Sequence, residues 1–267
     1  MNVEKATPSL LAILAVVMVG VLVLGVGSLA SASGEELTIA AASDLNSAFK
    51  ELVTEFEKAS GTHVKLSLGS SGNFFSQIQH GAPYDLYFSA DIRYPQKLIQ
   101  TDHALADSLH KYAVGRIVVW VSNSSPVAVD KLGMDSLLNP SIRKIAIANP
   151  KHAPYGRAAV ASMEHFNLYE RIKEKIVLGE NVSQAAQFVE SGAADIGIVA
   201  LSLALSPTMR SAGKYWEIPE SAHQPLEQGA VIVKTARNPD GAKSFLKFLQ
   251  GSEGRKVMAS YGFVAPE

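Results

Sequence analysis

Four short stretches place hydrogen-bond donors where a chain would turn into a helix: Ser43-Asp44, Ser70-Ser71-Gly72, Tyr155-Gly156 and Asn181-Val182. No lysine or arginine is built into any of them, although Lys151 and Arg157 are near in sequence. At the start of a helix the main-chain N–H groups lack intrahelical partners and stand at the positive end of the dipole. A Gly/Ser loop leading into such a start is a ready anion site. Ser43 and Ser71 offer a hydroxyl plus N–H groups; at Tyr155 and Val182 the main-chain N–H is the donor. Uncharged donors hold an ion without burying a counter-charge, and they select by size and hydrogen-bond count. A guest carrying its own O–H would set a donor against a donor, so the pattern suits a fully ionised tetrahedral dianion. Each stretch also has a plainer reading. Ser43 and Asn181 serve as N-caps, Gly72 and Gly156 supply φ > 0, and Tyr155 packs. The recurrence of one junction four times favours the anion.

The elements that must position these groups follow from hydrophobic spacing. Leu37 to Ala42 is a short apolar strand, and a helix follows with Leu45, Phe49, Leu52, Val53 and Phe56 on one face, ending near Gly61. His63 to Leu68 is a second strand, then come the Gly/Ser loop and a helix carrying Phe74, Phe75 and Ile78. Tyr84 to Phe88 is a third strand, followed by a short helix over residues 95–100. This alternation implies a parallel sheet with helices on its faces. Val114 to Val121 reads as one β-branched strand. A second α/β series then runs through strands at 144–148, 175–178 and 194–200 and helices at 157–166 and 182–191. Gln228 to Lys234 is a further strand, and helices at 240–250 and 253–261 close the chain. Two α/β series imply two lobes, joined by crossings near Lys111–Gly115 and Gln228–Ala230, with the final helices returning to the first lobe. A ligand then belongs in the cleft between lobes. In open α/β sheets that cleft lies beyond the carboxyl ends of the strands.

The N-terminal segment is an address. Leu10 to Leu29 is apolar except for Gly20, Gly25, Gly27 and Ser28; Lys5 precedes it and Ala30-Ser31-Ala32 follows. This is the layout of a secretory signal. Its length also matches a bilayer span of about 20 residues, so an uncleaved anchor is the alternative. The chain has no cysteine, which excludes disulfides, thiolate metal sites, a cysteine nucleophile and a lipid-bearing cysteine. Formal net charge is −1, with 24 basic and 25 acidic residues interspersed, so nothing points to nucleic acid.

An enzyme is disfavoured. Gly69-Ser70-Ser71-Gly72 is one residue short of a nucleophile elbow, and the seven histidines follow no metal-binding spacing. His152, in a loop, reads as solvated. Asp85 and Asp91 could be imagined as an acid–base pair but fit better as a cap and a surface charge. Iron(III) would need tyrosine, histidine and carboxylate donors on one point; tyrosines 84, 87, 94 and 112 are not at the four junctions.

Several motifs carry a resemblance to a known family. They are Ala40-Ala41-Ala42-Ser43-Asp44-Leu45, Gly69-Ser70-Ser71-Gly72, residues 81–91 (GAPYDLYFSAD), Asn149-Pro150-Lys151-His152-Ala153-Pro154-Tyr155-Gly156, residues 192–200 (GAADIGIVA) and Tyr261-Gly262-Phe263. In this order, over essentially the whole mature chain, the sequence resembles the periplasmic molybdate-binding proteins of ABC transporters. The resemblance implies a two-lobed α/β periplasmic-binding-protein fold (Venus-flytrap, type II) with a mainly parallel sheet in each lobe. It implies residues 1–34 as signal peptide or N-terminal anchor, 35–112 and 231–267 as the first lobe, and 113–230 as the second. It also implies a periplasmic, monomeric, non-enzymatic protein without a cofactor. Such a protein captures molybdate or tungstate and delivers it to an ABC permease, with no nucleic-acid partner. The family's ligand positions fall on Ser43, Ser71, Tyr155 and Val182, with Asp44, Ser70 and Gly156 as weaker candidates. Many members have a tyrosine hydroxyl where this chain has Ala200; either the site works with fewer donors, or Tyr155 or the N–H of Asp44 replaces the lost one. The Asp44 carboxylate would repel an oxyanion, so its side chain is expected to point away and cap the helix. Sulfate, a smaller dianion served by the same donors, is the alternative ligand.

Overall fold

The computed structural model of the protein describes residues 36–266. The expected signal segment, residues 1–34, lies outside the described residues.

The first series runs β1 (Leu37–Ala42), a 3-10 turn over Ser43–Leu45, α1 (Asn46–Ser60), β2 (Val64–Gly69), α2 (Ser71–Gln79), β3 (Leu86–Ser89), α3 (Arg93–Gln100) and β4 (His110–Gly115). The second runs β5 (Ile117–Ser122), α4 (Val129–Leu132), β6 (Ile145–Ala148), α5 (Pro154–His165), α6 (Tyr169–Ile172), β7 (Ile176–Gly179), α7 (Val182–Glu190), β8 (Ile196–Ala200), α8 (Leu201–Ala204), α9 (Pro207–Ala212) and β9 (Gly213–Glu217). The chain ends with β10 (Leu226–Ile232), α10 (Pro239–Gln250) and α11 (Ser252–Ser260).

Two five-stranded sheets result, ordered β2-β1-β3-β10-β4 and β7-β6-β8-β5-β9. They match position for position. In each sheet one strand, β1 or β6, pairs in parallel with a strand on either side, and the rest of the sheet is antiparallel. Chain crossovers leave β1 and β6 in opposite directions, so a crevice opens beyond their carboxyl ends. Ser43 follows β1 and the loop to Tyr155 follows β6. The sheet order therefore sets the cleft at the junctions that carry the donors.

Each sheet has its own core. In the first, Phe49 meets Phe88 edge to face at 4.8 Å and Phe56 meets Phe245 at 5.0 Å, which fixes α10 against α1 and the sheet. Phe245, Leu246, Leu249, Val257 and Met258 of the closing helices are all buried there, as the spacing predicts. Helix α1 stops at Gly61, whose left-handed φ of 72° and N–H bond to Glu57 form a C-terminal cap. The second core gathers Trp120, Ile145, Ile147, Ala159, Met163 and Ile198.

The structure divides one expected strand. The run Val114–Val121 is not one strand. It breaks at Arg116, with β4 pairing β10 in the first sheet and β5 pairing β8 and β9 in the second. The chain therefore changes sheet between Gly115 and Ile117, and again between Glu217 and Leu226. The expected borders at 112/113 and 230/231 cut through β4 and β10. Apolar continuity does not reveal a break where both halves are buried strands. The short helices α4, α6, α8 and α9 and the edge strand β9 are also additions. A single helical turn is too short to show periodicity.

Candidate functional site

The four expected donor residues meet. Ser43, Ser71, Tyr155 and Val182 line one small cavity with Ala42, Asp44, Gly69, Ser70, Ala153, Pro154 and Asn181, and no cationic side chain is in this wall. The cavity measures about 10 Å³, the scale of one small guest and not of a nucleotide, sugar or peptide. Its wall is drawn from the ends of β1 and β2 in one lobe and from the segments after β6 and β7 in the other.

Local chemistry orients each donor. Ser71 is 1% exposed, and its Oγ accepts the N–H of Ala90 at 3.0 Å. Ser43 is 3% exposed, and its Oγ accepts the N–H of Ser183 at 3.3 Å. A hydroxyl carries one donor and two acceptor positions. Among the described residues, neither hydroxyl donates to a protein group, so both protons are available to a guest. Val182 is the first residue of α7, whose cap Asn181 accepts the N–H of Gln184 at 3.0 Å. Tyr155 is the second residue of α5, after Pro154. Both N–H groups fall in a first turn, where the helix supplies no acceptor.

The weaker candidates divide. Ser70 lies in the wall, but its Oγ caps α2 by accepting the N–H of Asn73 at 3.3 Å and stands 2.9 Å from His152 Nδ1. Gly156 is outside the wall, and its N–H donates to the carbonyl of Ala153 at 3.1 Å. Neither Gly72 nor Gly156 has a positive φ, so the left-handed reading of both is corrected. A Cβ on Gly156 would stand 2.2 Å from the Ala148 carbonyl, and one on Gly72 would stand 2.7 Å from that of His152. Close approach of backbones explains both glycines.

Asp44 also departs from expectation. It does not cap the helix. Its side chain is buried, and Oδ2 accepts from the Tyr155 hydroxyl at 2.9 Å and from Gln228 Nε2 at 2.7 Å. Burial pushes the carboxyl up to about 6, against the lowering effect of these two bonds. The Tyr155 hydroxyl is thereby committed to Asp44 and does not replace the missing tyrosine. Ala200 itself is fully buried at the end of β8, outside the cavity wall.

The two lobes are drawn together around the cavity. Ser183 Oγ donates to the Ser43 carbonyl at 2.8 Å, and the N–H of Gly72 donates to the His152 carbonyl at 2.9 Å. Asn73 Nδ2 donates to Glu180 Oε1 at 2.6 Å. Beside it lies a wider cleft of about 560 Å³, also lined from both lobes. Its Arg93 and Arg157 both grip Asp91, each at 2.7 Å, so those charges are already paired. Among the described residues no group of histidines and carboxylates could hold a metal ion. Asp85 and Asp91 do not form an acid–base pair. Asp85 accepts the N–H groups of Thr38, Arg237 and Asn238 and fastens β1 to the segment before α10. The contact of His152 with Ser70 was invisible in the sequence, because 82 residues separate them.

A family model described as bacterial extracellular solute-binding protein matches residues 37–264. The chain is 36% identical to the molybdate-binding protein ModA of Azotobacter vinelandii over 244 residues, covering 91% of this chain and 96% of that one. It is equally similar, 36% over 243 residues, to ModA of Rhodobacter capsulatus, covering 91% and 93%. Among solved structures, the periplasmic molybdate-binding protein of Azotobacter vinelandii superposes with a TM-score of 0.81 at 35% identity, over 86% of this chain and all of that one.

Proposed function

The chain belongs to the bacterial extracellular solute-binding proteins, and from that premise we propose that it captures molybdate or tungstate between its two lobes. One observation carries this reading: Ser43, Ser71, Tyr155 and Val182, from opposite lobes, bring uncharged donors onto one small cavity that has no cation in its wall. The proteins it resembles are binding proteins and not enzymes, and the chemistry here is capture alone. Open lobes admit the ion, the two half-sets of donors meet around it, and the closed form is what a membrane permease of the ABC type reads. The bonds of Ser183 to Ser43 and of Gly72 to His152 belong to that closed form. The matches to molybdate-binding proteins favour these ions over sulfate and support work in the periplasm; the reading also takes the protein to act as a monomer, exported by its N-terminal segment. We assign residues 36–115 and 226–266 to one moving body and 117–217 to the other, following the two sheets.

Calorimetric titration with molybdate, tungstate and sulfate tests the reading. The first two should bind far more tightly than the third. Equal affinity for sulfate would move the protein to a general dianion carrier.

A further inference from the structure

A carboxyl group is an unexpected component in the wall of an anion site. Asp44 follows Ser43 directly and is 1% exposed. Its Oδ2 accepts from Tyr155 of α5 and Gln228 of β10. Among the described residues its Oδ1 has no hydrogen-bond partner, and neither has Oε1 of Gln228, the amide that touches the same carboxyl. Two buried acceptor oxygens in one cluster therefore lack a donor. A buried acceptor left unmatched is destabilising, and a buried charge without a counter-ion far more so.

The surroundings supply no such counter-ion. The titratable groups facing Asp44 are Tyr155 from α5 and Tyr112 from β4, and burial holds both phenols neutral by raising them well above their ordinary value. From β10 comes the uncharged Gln228. From α8 comes Ser202, whose hydroxyl donates to the main-chain carbonyl of Asp44. The neighbouring N–H groups of Asp44 and Leu45 are the remaining polar groups acting on it. A doubly negative guest beside this carboxylate would add like-charge repulsion in a dry site.

We propose that the oxyanion enters together with one proton, which resides on Asp44. The inference rests on the oxyanion reading of the cavity. The proton comes from solvent and goes to the carboxyl, Oδ1 becoming an O–H donor; no bond in the guest changes. The guest stays fully ionised, as donors such as Ser43 and Ser71 require, and the protein carries the proton instead. The bond from Tyr155 Oη to Oδ2 then joins the lobes through a neutral acid.

The sign follows from linkage. If the guest raises the carboxyl further, the complex binds more protons than the free protein at neutral pH. Affinity then falls as pH rises above the free-state value, by up to about tenfold per pH unit. It levels off only above the value in the complex.

Titration calorimetry of the full chain with molybdate, in two buffers of different ionisation heat near pH 7.5, counts the protons. The expected result is uptake of about one proton per ion, with Kd rising toward tenfold per unit between about pH 6.5 and 8.5. Asp44→Asn mimics the neutral acid and should abolish both the uptake and the slope while binding at least as tightly at high pH. Molybdate binding to the wild type without proton uptake overturns the inference and leaves the oxyanion reading standing. A slope that persists in a folded Asp44→Asn variant also overturns it. Absence of binding by molybdate, tungstate and sulfate alike removes the reading and the inference together. The proton count on the wild type decides even if the variant fails to fold.

Discussion

Ser71 shows what a single residue contributes here. Its hydroxyl accepts the N–H of Ala90, which leaves its own proton free to donate. Ser71→Ala leaves that N–H without its acceptor and the guest without a donor. Molybdate binding should weaken by about 1–3 kcal/mol, read as a rise in Kd by calorimetry. Asp85 has a structural role. Burial raises its carboxyl, but the bonds from Thr38, Asn238 and Arg237 outweigh that and hold it below its ordinary value of 3.8. A lowered carboxyl contributes stability that is complete above its unfolded value and lost as pH falls through the folded one. Asp85→Asn should therefore cost on the order of 1–3 kcal/mol in urea denaturation at neutral pH. The gap to the wild type should close as acid takes the pH down through the lowered folded value.

Between lobes, the working element is the first turn of α2. Gly72 gives its N–H to the His152 carbonyl, and a Cβ at that position would stand 2.9 Å from the Tyr94 hydroxyl as well as against that carbonyl. Gly72→Ala obstructs the approach of the lobes. Within α2 the same change is favourable by up to about 1 kcal/mol, because alanine is the better helix former. The two effects have opposite signs. Melting temperature should hold or rise while molybdate dissociates at least about tenfold faster, a change of about 1.4 kcal/mol that stopped-flow displacement would read. A variant that lost stability and kept its off-rate would show that the turn supports the fold and not closure. Gly115 makes a parallel point at the lobe crossing. A Cβ there would stand 2.3 Å from the Tyr155 hydroxyl and 2.7 Å from Gln228 Nε2, so the crossing must be bare for the Asp44 cluster to assemble.

For the molecule as a whole, capture and stability are linked. The guest binds a cavity that exists only with both lobes in place, so it binds the folded form and not the unfolded chain. Molybdate at about one hundred times its Kd should add about 2.7 kcal/mol to unfolding stability. Scanning calorimetry should show a matching upward shift with tungstate and a far smaller one with sulfate at the same concentration. An equal shift with sulfate would point to general anion stabilisation.

The longer elements and the residue types at the junctions were legible along the chain. The helix ending at Gly61, the Gly/Ser loop before α2, the Asn181 start of α7 and the apolar faces of α1 and α10 are local matters of spacing, caps and turns. The donor types at Ser43 and Ser71 were legible for the same reason. Tertiary structure decided what those donors face. Strand order put the carboxyl ends of β1 and β6 at switch points, and pairing with β10 and β8 divided one apolar run at Arg116 between two sheets. It also turned Asp44 from an expected cap into a carboxyl shared by residues 111 and 184 positions away. Spacing along a chain encodes which face of an element is apolar, whereas the partner of a buried polar atom is set by contacts between segments far apart in sequence. That is why Asp44 and Gly72 could be named from the sequence, but their purposes could not.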